Sequence, residues 1–197
     1  MPGKAGIRSF VAVELPDDIR QALATWQRDL KTKSPPDTVR WTRPEAIHLT
    51  LQFLGDVAPG QIEAIVGALR GACAGRSSFT FELAGVGVFP NPSRPRVVWA
   101  GVVESSGALV ALQKGVSQAL SPLGFPPEER PFTPHLTIGR AVRDASRRDL
   151  AELGDLIAQS NVGSAGRVTV DHINLMKSDL KPDGAVYTVL AVIPFAT

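Results

Sequence analysis

Two short segments of this chain are near copies of each other and contain two of its only three histidines. They read His48-Leu49-Thr50-Leu51 and His135-Leu136-Thr137-Ile138. In each copy polar and aliphatic residues alternate, which is the period of a β-strand with one polar and one apolar face. Each strand is therefore predicted to present an imidazole and a hydroxyl side by side. A fold that contains both strands has to bury the apolar face of each.

The residues that flank the two copies also match each other. Each copy is preceded by a proline and followed by a glycine, at Pro44, Pro134, Gly55 and Gly139. In the first copy the alternation continues, so that Gln52 is predicted on the face of His48 and Phe53 on the opposite face. One segment of this kind is common and usually structural, whereas two copies with matching flanks favour a functional pair.

The rest of the chain alternates between strand and helix patterns. Each His-Thr strand is followed by a predicted helix, which indicates a duplicated α+β unit rather than regular βαβ repetition. The C-terminal stretch 166–195 is predicted to form two strands around the turn Pro182-Asp183-Gly184. Further strands are predicted at 9–15, 39–42, 79–88 and 97–103, and helices at 19–30, 59–69, 107–120 and 145–159.

Composition narrows the class of protein. A chain of 197 residues, 44% of them hydrophobic, fits one large domain or two closely packed lobes. No apolar run approaches the roughly 18 residues of a membrane span, and no apolar signal region follows Met1–Gly6. The single Cys73 excludes an internal disulfide and is expected to be a buried thiol. We therefore expect a cytoplasmic protein.

Paired histidines and threonines suit the cleavage of a phosphodiester. The reaction needs a base to deprotonate the attacking oxygen and an acid to protonate the leaving oxygen. Histidine, with an unperturbed pKa near 6.5, serves either role close to neutrality. The hydroxyls of Thr50 and Thr137 can donate hydrogen bonds to the non-bridging oxygens, where negative charge develops. This chemistry needs no metal.

Zinc binding is the competing use of histidine. The third histidine, His172, lies in a strand-like stretch and is expected to be a surface or sheet residue. The three histidines are far apart in sequence and lack a local pair of ligands. We therefore predict no metal and no cofactor.

The paired motifs and their context resemble the two-histidine (2H) phosphoesterase superfamily. The resemblance covers almost the whole chain and is closest to the RNA 2′,3′-cyclic phosphodiesterases, also called 2′-5′ RNA ligases. It is carried by the HxTx motifs at 48–51 and 135–138 within the stretches 41–55 and 132–140. The first strand, 8–16, and the C-terminal segment with Leu175-Met176-Lys177-Ser178, Gly184 and Tyr187 also resemble the family.

The resemblance implies a fold and a reaction. The fold is one bilobal, duplicated α+β domain over residues 1–197, with two antiparallel sheets, helices on the outer faces and a central cleft. The reaction is hydrolysis of an RNA 2′,3′-cyclic phosphate end to a 2′-phosphate. By the family pattern His48 is the proton donor and His135 the proton acceptor. The reverse reaction would make a 2′-5′ linkage without ATP.

Three further residues are candidates for binding the substrate. Arg140 occupies the arginine position that follows the second motif in the family and could pair with phosphate. Strict alternation places it opposite His135, so it needs a bulge or a strand end near Gly139 to reach the cleft. Phe10 could stack on a base or pack in the core, and Tyr187 could bind substrate or pack in a hairpin.

The motifs leave other functions open. The same site could act on a different cyclic or 2′-5′ nucleotide, or the histidines could only hold the phosphate of an RNA end. The expected partner is an RNA end with a 2′,3′-cyclic phosphate. We expect a monomer, with no membrane and no protein partner.

Overall fold

The computed structural model describes residues 6–182 and 184–195. The chain start Met1–Ala5 and the turn residue Asp183 lie outside this part, together with the predictions made on them. Nine strands form one sheet, β1 (Ile7–Val13), β2 (Val39–Trp41), β3 (Leu49–Val57), β4 (Phe79–Phe89), β5 (Val97–Val103), β6 (His135–Ala141), β7 (Ser164–Val170), β8 (His172–Lys181) and β9 (Gly184–Pro194).

The sheet consists of two antiparallel halves joined at the strands that carry the motifs. One half has the strand order β7-β4-β5-β6 and the other β3-β1-β8-β9. The halves meet where Leu49 of β3 pairs with Leu136 of β6, and β2 pairs with β6 beside this junction. The predicted α+β class is confirmed, and the two expected sheets are the halves of one continuous, antiparallel sheet.

Four amphipathic helices pack on the sheet, α1 (Asp17–Lys33), α2 (Ile62–Cys73), α3 (Ala108–Leu120) and α4 (Arg147–Gln159). Helices α1 and α4 contact β7 and β4, whereas α2 and α3 contact β9 and β3. Their apolar stripes bury residues such as Leu23 and Leu112 against the aliphatic residues of the motif strands. The opposite face of the sheet, called the motif face below, carries the histidines and threonines of the two motifs.

Two predictions about strands are wrong. The stretch 166–195, predicted to form two strands, lies in three (β7, β8 and β9), because the chain crosses at Asp171 from β7, paired with β4, to β8, paired with β1. In β3 the alternation reverses after Leu51, so that Gln52 is buried and Phe53 is 57% exposed. No helix in the described ranges is long and apolar enough to cross a membrane.

Candidate active site

The two motifs meet at the junction of the sheet halves. Leu49 and Leu136 are antiparallel backbone partners, and both side chains are buried. One residue away on either side, this register sets His48 beside Thr137 and Thr50 beside His135. Since neighbouring residues point to opposite faces, all four polar side chains lie on the motif face. The structure thus brings together the four residues that the sequence predicts as the site.

Both motif strands bulge at the fourth position of the motif. Strand β1 pairs with Thr50 and then with Gln52, leaving out Leu51. Strand β5 pairs with Thr137 and then with Gly139, leaving out Ile138. Each extra residue reverses the alternation that follows.

The two bulges bring equivalent residues to the motif face. In the first strand the residue is Phe53 and in the second it is Arg140, each five positions after the motif histidine. The bulge that Arg140 required is therefore present, at Ile138. The same event in the first strand was missed, because no local pattern distinguishes it from continued alternation.

The histidines are oriented in the same way. The Nδ1 atom of His48 lies 3.0 Å from the carbonyl oxygen of Ala46, and that of His135 lies 2.7 Å from the carbonyl oxygen of Thr133. A carbonyl only accepts, so Nδ1 donates and carries a proton. In the neutral ring Nε2 is therefore free to accept a proton, and in the charged ring Nε2 can donate one. The hydrogen bonds to the backbone therefore do not show which histidine is the acid and which is the base.

The surroundings of His48 do distinguish it from its counterpart. Its ring stacks on Phe10 with centroids 4.6 Å apart and lies perpendicular to the ring of Tyr187 with centroids 4.9 Å apart. This burial lowers the pKa of His48 to about 4. The hydrogen bond to Ala46 opposes the shift, and the positive charge of Arg20 adds to it. In the free protein at neutral pH the His48 ring is uncharged.

His135 has a more open setting. Its ring lies nearly perpendicular to that of Phe89 with centroids 5.0 Å apart, and Phe89 in turn packs on Trp99. Trp99 pairs with Thr137 across the ladder, so these aromatic rings form the wall of the second half of the site. Neither Phe89 nor Trp99 was predicted, because they belong to strands that reach the site only through long-range pairing.

The remaining predicted residues occupy distinct places. Phe10 is only 2% exposed, because His48, Phe53 and Tyr187 cover it. A ring so enclosed has no free face for a base, and it supports His48 instead. Burial raises the pKa of Tyr187, and the positive charges of Arg140 and Arg8 oppose this shift, which places both guanidinium groups near the tyrosine.

Possible metal ligands do not gather in the described part of the chain. There, no three His, Cys, Asp or Glu side chains cluster in a way that would hold an ion. His172 pairs with Asp171 at the start of β8.

Comparison with known proteins agrees with this geometry. The family described as LigT-like phosphoesterase matches the chain twice in succession, over residues 13–99 and 101–187. Two archaeal proteins named RNA 2′,3′-cyclic phosphodiesterase are each 37% identical over 186 residues. The one from Methanothermobacter thermautotrophicus aligns over 94% of this chain and 97% of its own, and the one from Archaeoglobus fulgidus over 94% and 99%.

Solved structures show the same fold. TT0787 of Thermus thermophilus superposes with a TM-score of 0.77 at 29% identity, covering 96% of this chain and 98% of its own. Escherichia coli LigT complexed with 3′-AMP superposes with a TM-score of 0.76 at 26% identity, covering 98% and 100%. The chain belongs to the LigT-like, two-histidine phosphoesterases.

Proposed function

We propose that this protein hydrolyses RNA 2′,3′-cyclic phosphate ends to 2′-phosphates by acid–base catalysis with two histidines. The observation that carries the proposal is the Leu49–Leu136 pairing, because its register gathers two imidazoles and two hydroxyls on one face. Relatives of similar length that are named for this activity support it.

In the proposed reaction His135 acts as the base and His48 as the acid. Nε2 of His135 takes a proton from water, whose oxygen attacks phosphorus. The bond between phosphorus and the 3′ oxygen breaks, and that oxygen takes a proton from Nε2 of His48. The products are a 2′-phosphomonoester and a free 3′ hydroxyl. Thr50 and Thr137 donate hydrogen bonds to the non-bridging oxygens as charge develops there.

The low pKa of His48 gives this assignment a specific requirement. An acid has to be protonated when the reaction starts, and the ring is neutral in the free protein at neutral pH. The cyclic phosphate carries a negative charge, and an anion beside Nε2 favours the imidazolium form. Binding of substrate thus supplies the condition under which His48 holds its proton. A proton held in such an enclosed place is readily given up to the leaving oxygen.

Residues next to the motif strands suit the rest of a nucleotide. Phe53 is the exposed member of the aromatic cluster, with its ring centroid 6.1 Å from that of Phe10. We assign it as the surface on which a base stacks, in place of Phe10. Arg140 and Arg8, near Tyr187, are assigned to phosphate groups of the RNA.

The proposal includes the organisation and setting of the enzyme. We infer one domain of two pseudo-symmetric lobes, supported by the two successive family matches. The reaction is proposed to be independent of metal and to run in reverse as 2′-5′ ligation without ATP. A monomer without a protein partner, active in the cytoplasm, remains our prediction.

One experiment separates this activity from its rivals. The protein is incubated with an RNA oligonucleotide that ends in a 2′,3′-cyclic phosphate, and the product isomer is identified by chromatography against 2′- and 3′-phosphate standards. The proposal requires the 2′ isomer. RNA that is bound but recovered unchanged would indicate an end-binding protein. Turnover confined to a cyclic mononucleotide or a 2′-5′ oligonucleotide would keep the site and change the substrate.

A further inference from the structure

The catalytic strands are joined by very little backbone pairing. Among the described residues, β3 and β6 share one pair of partners, Leu49 with Leu136. Beyond it the bulges turn each strand toward its own half of the sheet. A single pair fixes a position but resists rotation and shear poorly, so the distance between the imidazoles depends on other contacts at the junction.

Gln27 of α1 makes such a contact. Its side chain is 7% exposed, and its Nε2 donates to the carbonyl oxygens of Thr42 at 2.6 Å and Ile138 at 2.7 Å. Both amide protons are therefore used. Ile138 is the bulged residue directly after Thr137, and Thr42 begins the segment that leads to His48. One buried amide thus connects the approaches to both catalytic halves.

The chain around Gln27 strengthens this connection. The backbone N–H of Thr42 also donates to the oxygen of Ile138, at 3.0 Å. Helix α1 contacts the short 3-10 turn Pro44–Ala46, whose last residue accepts the hydrogen bond from His48. Movement of Gln27 would therefore be transmitted to His135 along the motif strand from Ile138, and to His48 along the segment that runs from Thr42 through Ala46.

The other half has a related but weaker arrangement. Gln113 of α3 approaches the carbonyl oxygen of Leu51, the bulged residue of the first motif, at 3.5 Å. It also donates to Ser117, whose hydroxyl donates to Gln52 at 2.7 Å. Helix α1, which precedes the first motif, thus contacts the bulge of the second motif at Ile138. Helix α3, which precedes the second motif, contacts the bulge of the first at Leu51. The contact with the bulge carbonyl is the weaker one here, at 3.5 Å for Gln113 against 2.7 Å for Gln27.

We propose that Gln27 is a positioning residue that sets the distance between His48 and His135, with Gln113 as its weaker counterpart. This inference rests on the proposed function for the reaction that it assists. Because misplacement by about 1 Å can cost roughly a hundredfold in rate, loss of the amide should act mainly on proton transfer. Binding of the nucleotide by Phe53 and Arg140 should change little.

The test replaces Gln27 by methionine, which keeps the volume and removes both donors. We expect kcat on a cyclic-phosphate dinucleotide to fall at least about tenfold, with KM within about threefold. Q27N, which keeps the donor group on a shorter side chain, should lose less. Q21M carries the same exchange at an exposed position of the same helix and should match the wild type.

The outcomes separate positioning from stability. Activity is expressed per folded molecule, from circular dichroism and thermal melts on the same samples. If Q27M does not fold at the assay temperature, Q27N carries the test with the same split between kcat and KM. A folded Q27M or Q27N with wild-type kcat overturns the inference, as does a loss that follows only the folded fraction. An inactive wild type overturns the proposed function instead.

Discussion

The imidazole of His48 stacks on the ring of Phe10, with centroids 4.6 Å apart and an interplanar angle of 27°. With Tyr187 packed perpendicular to it, the ring is shielded from water, and the pKa of His48 falls to about 4. The ring of the other motif histidine, His135, instead lies nearly perpendicular to that of Phe89. The two motif histidines thus make the same kind of hydrogen bond to the backbone in different aromatic surroundings.

We therefore predict that the His48 imidazole of the free protein titrates near pH 4, well below the ordinary range of histidine. Tyr187→Ala exposes the ring to water and should raise the pKa of His48 toward 6.5. Tyr187→Phe keeps the cover and should leave the pKa of His48 unchanged. The pKa is read from the imidazole proton resonances. An equal pKa in the alanine and phenylalanine variants would contradict the role of burial.

Stability has to be followed in the same experiment. The unfolded chain takes up the His48 proton near pH 6.5, whereas the folded protein does so near pH 4. The stability that the neutral ring contributes is therefore complete above pH 6.5 and is lost as the pH falls through about 4. The imidazole resonances are therefore compared only at pH values where thermal melts show the protein folded.

The second prediction concerns the two histidines as a unit. His48→Ala and His135→Ala should each lower kcat by at least about a hundredfold, since each removes a proton-transfer group. The double variant should fall well short of the product of the two losses, because neither group works without the other. His172→Ala serves as the control, because His172 lies outside the two motifs and has no assigned role in the reaction. Near wild-type turnover in either single variant would contradict the acid–base assignment.

Local patterns predicted most of the elements and the core of the site. The helices follow from apolar residues at helical spacing, as in α4, where Leu150, Leu153 and Ile157 are buried. The motif histidines and threonines share one face because a strand alternates within four residues. These features need no information from distant parts of the chain.

The features that were missed depend on pairing across the fold. Gln52 and Phe53 exchange faces because Val11 pairs with Gln52 and leaves out Leu51, a register that only the partner strand defines. The amide of Gln27 reaches a carbonyl of a strand more than a hundred residues later, which no local spacing encodes. Strand β7 was missed as a separate strand. It pairs with β4 in one half of the sheet, whereas β8, the next strand in sequence, lies in the other half.

The third prediction concerns the hydroxyls. Thr50→Val and Thr137→Val should each lower kcat/KM by roughly ten- to a hundredfold, because a hydrogen bond to a charged oxygen is worth about 1.5–3 kcal/mol. The losses should be similar, since the register at Leu49–Leu136 gives the two threonines equivalent places. Serine at either position keeps the hydroxyl and should restore most of the activity. Valine variants as active as the serine variants would contradict this role.

The fourth prediction is that the reaction needs no metal. Excess EDTA followed by gel filtration should leave kcat on the cyclic-phosphate dinucleotide unchanged, because the proposed acid and base are both imidazoles. The measurement is repeated with zinc added back. Loss of turnover that zinc restores would contradict the proposed mechanism and indicate that histidines act as ligands.

The last prediction separates the base-binding surface from the reacting centre. Phe53→Ala should raise KM for a cyclic-phosphate dinucleotide by about fivefold or more, since stacking on an aromatic ring contributes about 1–3 kcal/mol per base. Inhibition by inorganic phosphate, which has no base, should not change. Val110→Ala truncates an exposed hydrophobic side chain on α3 and should change neither KM nor the inhibition by phosphate. Because the side chain of Phe53 is 57% exposed, its removal should alter the melting temperature little. A weaker inhibition by phosphate in Phe53→Ala would show that the ring shapes the phosphate site and does not stack on a base.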